Sequence, residues 1–138
     1  MVFKDLKGRE RDISIKRYLI NWERVVSRPQ KAVKDFLRPY WEHGIVLEEC
    51  PVFGSRMRID LLRMDTCPPI VVEVSPESSH SFNAFFHGNS RNRFGRACKN
   101  DLDKERWARE INGFDYVELK ETDFPLTEAA FARQGVTL

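Results

Sequence analysis

The spacing of apolar residues predicts three consecutive β-strands in the middle of the chain. These strands cover residues 45–53, 56–64 and 70–75. In the second strand Met57, Ile59 and Leu61 alternate with polar residues, so we expect them to share one face, with Asp60 on the other. In the third strand Glu73 falls opposite the apolar positions. Each of these two strands is therefore predicted to carry one acidic side chain on its less apolar face.

Helical spacing predicts helices on both sides of these strands. A short helix is expected after Asp12, and a longer one follows the capping box Ser27–Gln30 and extends to about Trp41. Further helices are predicted at residues 98–111 and 127–133, with a fourth strand at 114–119. The order of elements indicates an α/β fold in which helices cover a mixed sheet.

A turn signal between the second and third strands decides how their acidic residues meet. Residues 65–69 read Asp-Thr-Cys-Pro-Pro, which is typical of a turn. A hairpin centred near Thr66–Cys67 makes Asp60 and Glu73 cross-strand partners, with Cβ atoms about 4.5–5.5 Å apart. Two like charges in that position are unfavourable, and a divalent cation between them removes the penalty. The hairpin therefore predicts a cation site.

Composition favours a single domain over residues 1–138. The chain is 41% hydrophobic and contains no apolar run of membrane-spanning length, so we expect no membrane partner. The three cysteines are widely spaced and the N-terminus has no apolar signal segment, which favours a cytoplasmic location. The net charge of +2 does not by itself indicate nucleic acid. However, residues 87–100 include several cations and no acid, namely His87, Arg91, Arg93, Arg96 and Lys99.

Four segments of the chain resemble the PD-(D/E)XK nuclease superfamily. They are SRPQKAVKDFL, RMRIDLL, IVVEVSPESSH and KNDLDKERWAREINGFDYVEL, which together span residues 27–119. The likeness is greatest to the branch that contains very-short-patch repair endonucleases and phage homing-type nucleases. It implies a restriction-endonuclease-like core, αβββαβ, with a mixed four-stranded sheet, an extra N-terminal helix and a C-terminal helix.

The resemblance also implies an activity, which is Mg²⁺- or Mn²⁺-dependent hydrolysis of phosphodiester bonds in duplex or branched DNA. The implied metal ligands are Asp60, Glu73, the backbone carbonyl of Val74, and Gln30. The implied catalytic residues are Asp60, Glu73, His80, Asp101 and Lys104. The implied DNA-binding residues are Arg58, His87, Arg91, Arg93, Arg96 and Lys99. Many members of the superfamily form homodimers, and the sequence does not decide whether this chain does.

Two departures from the family pattern leave other functions open. Ser75 stands where the family usually has a lysine, and Gln30 stands where relatives often have a glutamate. One alternative is a nucleic-acid-binding module that keeps the fold without the chemistry. Another is a protein-interaction domain in which Asp60 pairs with Arg56 or Arg58. A histidine-based ββα-metal nuclease fits poorly, because its histidines and asparagine need a different spacing.

Overall fold

A mixed β-sheet lies at the centre of the protein in the computed structural model, which describes residues 1–74 and 102–138. The elements in chain order are β1 (Val2–Lys4), β2 (Glu10–Asp12), α1 (Arg28–Trp41), β3 (Val46–Pro51), β4 (Arg58–Arg63), β5 (Ile70–Val74), α2 (102–111, in which Trp107–Ile111 has π-helical geometry), β6 (Asp115–Leu119) and α3 (Glu128–Ala132). The prediction of an α/β fold with a four-stranded mixed sheet flanked by helices is confirmed.

The strands of the sheet follow one another in the order β3-β4-β5-β6. The first three are antiparallel neighbours, and β6 pairs with β5 in parallel. In the register of β4 and β5, Leu61 lies opposite Val72, and in the register of β5 and β6, Glu73 lies opposite Glu118. As a result, the beginning of β4 and the ends of β5 and β6 lie at the same end of the sheet.

Apolar side chains cover the sheet on both sides. On the first face α1 and α3 contribute Trp41 and Phe131, which pack with Leu61 and other residues of the strands. On the second face Phe3 of β1 and Trp107 of α2 pack against the sheet. The rings of Phe3 and Trp107 stack with their centroids 6.5 Å apart, which joins the β1–β2 hairpin to α2.

One prediction about strand faces is wrong. Ile59 and Leu61 do not share a face, because Leu61 packs on the first face while Ile59 packs on the second. A second irregularity lies beside it in the neighbouring strand, where Glu49 has a left-handed backbone with φ of 50°. The regular alternation is therefore interrupted at the same level in β3 and β4, next to Asp60.

The predicted N-terminal helix is also wrong. Only a 3₁₀ turn forms there, at Lys16–Tyr18. The chain then follows the outer edge of β3, where Leu19 forms a bridge with Leu47 and the Ile20 N–H donates to the carbonyl of Val46. The apolar residues that suggested one helical stripe are divided between the two faces, because Ile15 and Tyr18 pack on the second and Trp22 packs on the first.

The long helix agrees with its prediction. Ser27 caps α1, and its hydroxyl oxygen accepts a hydrogen bond from the Gln30 N–H at 3.3 Å. Among residues 1–74 and 102–138, no helix is long and apolar enough to cross a lipid bilayer.

A buried ion pair joins α1 to β3 and to the segment before the helix. Lys34 is fully buried, and its ammonium group donates to Glu48 at 2.7 Å and to the carbonyls of Asn21 and Arg24. The second carboxylate oxygen of Glu48 accepts the N–H of Asn21 at 2.9 Å. This network fixes the position of β3 relative to α1.

Candidate active site

Asp60 and Glu73 lie opposite each other on β4 and β5. Leu61 pairs with Val72, and continuing that register by one residue places Asp60 next to Glu73. The sequence-based prediction of a cross-strand pair is therefore correct in its geometry. Glu73 is 5% exposed and Asp60 is half-buried, so both carboxylates are largely removed from water.

The two carboxylates take over the hydrogen bonds that would otherwise continue the strand pairing. The Asp60 N–H donates to Oε1 of Glu73 at 3.0 Å, and the Val74 N–H donates to Oδ2 of Asp60 at 2.8 Å. Each acid is thus oriented by a backbone donor of the neighbouring strand. The pairing of β4 and β5 by main-chain groups ends at this point, and side-chain oxygens replace main-chain carbonyls.

Lys104 brings a positive charge to this pair from α2. Helical spacing puts Lys104 on the same face as Ala108 and Ile111, which predicts that it points towards the sheet. This prediction is confirmed, because its Nζ lies 3.5 Å from Oε2 of Glu73. One helical turn further on, Trp107 is fully buried, and its indole N–H donates to the carbonyl of Lys4 at 2.7 Å. This anchor holds α2 against the second face and orients Lys104 towards the acids.

Burial and mutual repulsion make both acids reluctant to ionise. Burial is the largest cause that raises the pKa of Glu73 well above its ordinary value of 4.5, and the charge of Asp60 raises it further. Burial also raises the pKa of Asp60, against the opposing effects of the Val74 N–H and of Lys104. Without a cation, burial and repulsion therefore disfavour the state in which both acids are ionised.

Two more acids lie in the same row across the sheet, and sequence reasoning missed both. Glu49 of β3 is level with Asp60, whose pKa it raises, and Glu118 of β6 is the parallel partner of Glu73. A signal for Glu118 exists in the sequence, since the strand over 114–119 is predicted. No such signal exists for Glu49, because a left-handed glutamate inside a strand breaks the alternation on which strand prediction depends.

The predicted ligand Gln30 lies in the first turn of α1 and is 3% exposed. Its side-chain nitrogen has no hydrogen-bond partner within the described ranges. No described contact joins Gln30 to Asp60 or to Glu73. Because the Gln30 side chain is buried, it is not a surface residue whose only role is to cap the helix. Its role as a metal ligand stays a prediction.

Arg58 is exposed at the start of β4, two residues before Asp60. Neither Arg56 nor Arg58 forms an ion pair with Asp60 in the part of the chain that the structure describes, where Asp60 instead contacts Glu73 and Val74. The remaining predicted site residues lie outside the described residues; they are His80, His87, Arg91, Arg93, Arg96, Lys99 and Asp101, together with Ser75.

The donor set can be compared with the needs of a magnesium ion. One oxygen of each carboxylate, Oδ2 of Asp60 and Oε1 of Glu73, accepts a backbone N–H, and Oε2 of Glu73 faces Nζ of Lys104 at 3.5 Å. Magnesium takes oxygen ligands and is commonly held by one or two carboxylates, with water and substrate oxygens completing its shell. No group of three or more acidic, histidine or cysteine side chains converges within residues 1–74 and 102–138. The two carboxylates of Asp60 and Glu73 therefore fit a cation such as magnesium, which needs only one or two carboxylates from the protein.

Comparison with known proteins finds no match: no family model, no curated protein and no solved structure aligns with this chain.

Proposed function

We propose that this protein is a metal-dependent DNA endonuclease with a restriction-endonuclease-like core, similar to the PD-(D/E)XK nucleases. The observation that carries the proposal is the pair of acids Asp60 and Glu73 on neighbouring strands. Each carboxylate accepts a backbone N–H from the opposite strand, and Lys104 lies beside Glu73. The order of the strands supports the same assignment, since two antiparallel strands bearing the acids are followed by a helix and a parallel strand.

Asp60, Glu73 and the carbonyl of Val74 would hold a Mg²⁺ or Mn²⁺ ion. When bound, the ion would polarise the scissile phosphate and lower the pKa of a coordinated water. The energetic case follows from burial, because two buried carboxylates that repel each other gain the most from a shared cation. Gln30 can add only a neutral oxygen, so the site would carry fewer negative charges than in relatives with glutamate there.

Lys104 would act on the DNA substrate from beside the two acids. Its ammonium group lies within 3.5 Å of Glu73 and is only partly exposed. At this position it can stabilise the negative charge that develops on the phosphate, or orient the attacking water. Because the family's usual lysine position holds Ser75, a lysine from α2 supplies the missing cation. His80 and Asp101 remain part of the proposal as assisting acid and base.

A second candidate function is a nucleic-acid-binding module without catalysis. The specific observation in its favour is that backbone N–H groups and Lys104 already engage both acids. The lack of charge on Gln30 favours it too. Both functions involve DNA, so cleavage is the property that separates them.

Incubation with plain, nicked, mismatched and branched DNA, in Mg²⁺, in Mn²⁺ and in chelator, tests the proposal. We expect cleavage of at least one substrate with metal and none with chelator. Asp60→Ala and Glu73→Ala should each lower the cleavage rate by more than about 100-fold. This loss exceeds the effect expected for a residue that only hydrogen-bonds to a metal ligand. Asp35→Ala removes an exposed acid of α1 and should leave the rate unchanged. No cleavage of any substrate with either metal would favour the binding module.

A further inference from the structure

The loop of the β1–β2 hairpin lies against the turn that leads from β3 into β4. The Leu6 N–H donates to the carbonyl of Phe53 at 2.9 Å, and a Cβ added to Gly54 would lie 3.5 Å from the Cβ of Asp5. The hairpin is fixed further along its length, where Phe3 packs against Phe53 and Trp107. The loop is therefore held at one defined place, at the edge of the second face.

A buried acid gives this loop its shape and leaves its cations outside. Asp5 is 2% exposed, and its carboxylate accepts the N–H groups of Lys7 and Arg9 and the guanidinium of Arg11. These hydrogen bonds lower the pKa of Asp5. The side chains of Lys7 and Arg9 are exposed at the tip, and neither forms an ion pair with another described residue. Asp5 is thus used inside the loop, and Lys7 and Arg9 are its exposed charged side chains, with the exposed Glu10 following at the start of β2.

Two more cations stand beside this tip. Arg56 and Arg58 are exposed where the turn enters β4, and they too lack an acidic partner within residues 1–74 and 102–138. The four unpaired cations belong to two segments that touch each other at Phe53 and Leu6. These four exposed cations, Lys7, Arg9, Arg56 and Arg58, lie in the two segments on either side of that contact, and we call them the hairpin patch.

The hairpin patch lies at the same end of the sheet as the paired acids. Asp60 follows Arg56 by four residues, which span at most about 13 Å when fully extended. Measured along the axis of a DNA duplex, that distance corresponds to no more than roughly four base-pair steps of 3.4 Å. A duplex with one phosphate at Asp60 and Glu73 would therefore present its next several phosphates to the patch.

We propose that the hairpin patch binds the phosphate backbone of duplex DNA a few nucleotides away from the bond at the paired acids. The choice of DNA as partner rests on the proposed function. The choice of this surface rests on two separate observations. The four cations are exposed and have no acidic partner among the described residues, and they lie on an anchored loop and on the turn beside it. Such contacts position the duplex and carry no sequence information. Their free energy arises from counterion release, so it falls as salt concentration rises.

Binding of a fluorescent 20-base-pair duplex across a range of salt concentrations tests this proposal. Chelator is present throughout, so that neither metal binding nor cleavage enters the measurement. The variant Lys7→Gln/Arg9→Gln should bind roughly tenfold more weakly at low salt, and its slope of log K against log salt should be shallower by up to about 1.8. Arg56→Gln/Arg58→Gln should show the same change, which provides a second test independent of the hairpin.

The matched control is Arg38→Gln/Arg133→Gln. It makes the same change in net charge, on the helix layer that covers the first face. This control should retain the wild-type slope. Wild-type slopes in both patch variants, as in the control, would overturn the proposal, even if the protein cuts DNA. A shallower slope in the patch variants would support the proposal even if no DNA is cut, so the two proposals fail separately.

Discussion

Glu73 is a charged residue in an otherwise apolar strand, and its surroundings determine what it costs the folded protein. Only one nearby cation, Lys104, offsets its charge among the described residues, at the long distance of 3.5 Å. Asp60 across the strand pair adds repulsion. Buried acids of this kind destabilise a fold unless they are protonated or bound to a cation.

The first prediction concerns this cost. In the absence of divalent ions at neutral pH, Glu73→Gln should raise the free energy of unfolding by on the order of 1 kcal/mol, because it removes a buried acid whose ionisation burial and Asp60 oppose. The raised pKa of Glu73 means that the folded state binds its proton more tightly than the unfolded state does. The wild type should therefore gain stability relative to the variant as pH falls towards 4.5, and the difference should close.

Urea denaturation of both proteins between neutral pH and pH 4.5 measures this difference. Replacement of the exposed Glu110 by Gln on α2 is the matched control and should change stability little at any pH. Addition of Mn²⁺ should stabilise the wild type and leave Glu73→Gln unaffected, since only the wild type keeps both anionic ligands. A Glu73→Gln variant that is less stable than wild type at neutral pH would contradict this account.

At the scale of residues, the sequence predicted the pair of acids but not their surroundings. The spacing of Asp60 and Glu73 around a Pro-containing turn is sufficient to place them opposite each other. Helical spacing likewise predicted the direction of Lys104. Glu49 could not be found in this way, because a left-handed residue inside a strand leaves no mark in the sequence pattern.

At the scale of elements, local sequence signals predicted helices and strands correctly where these signals agreed with tertiary packing. The cap at Ser27 and the apolar stripe of α1 predicted its position correctly, and the strands of the sheet begin and end within a few residues of their predictions. The segment around Lys16–Tyr18 shows the limit. Its apolar spacing matches a helix, but pairing along the edge of β3 satisfies the backbone and divides its side chains between both faces.

The buried lysine of α1 gives a prediction at this scale. Lys34→Met leaves the buried Glu48 with only the more distant guanidinium of Arg24, 3.8 Å away, and leaves the carbonyl groups of Asn21 and Arg24 without the ammonium donor. We expect a loss of about 3–5 kcal/mol in the free energy of unfolding, as is typical when one member of a buried ion pair is removed. Denaturant unfolding at neutral pH measures it.

Lys31→Met is the control on the same helix. Lys31 pairs with Asp35 at the surface, one turn apart, so its loss should cost less than about 1 kcal/mol. The double variant Lys34→Met/Glu48→Gln should recover part of the stability, because the substituted amide carries no charge and its oxygen can still accept the N–H of Asn21. Equal losses for Lys31→Met and Lys34→Met would show that the buried network does not hold α1 to β3.

At the scale of the whole molecule, charge is distributed unevenly even though the net charge is only +2. One end of the sheet carries a row of acids across all four strands, and exposed cations of the hairpin patch stand beside it. A phosphodiester chain with a divalent cation satisfies both groups together, since the cation neutralises the acids and the phosphates neutralise the lysine and arginines.

The central claim is that Asp60 and Glu73 share a divalent cation, and a crystal structure of the protein soaked in Mn²⁺ tests it most directly. The account predicts an anomalous peak about 2.0–2.3 Å from an oxygen of each carboxylate, with Lys104 still beside the site. The same soak of Glu73→Gln should give no peak. Carboxylates that keep their present hydrogen bonds to the N–H groups of Asp60 and Val74 at saturating Mn²⁺, with no ion between them, would contradict the claim.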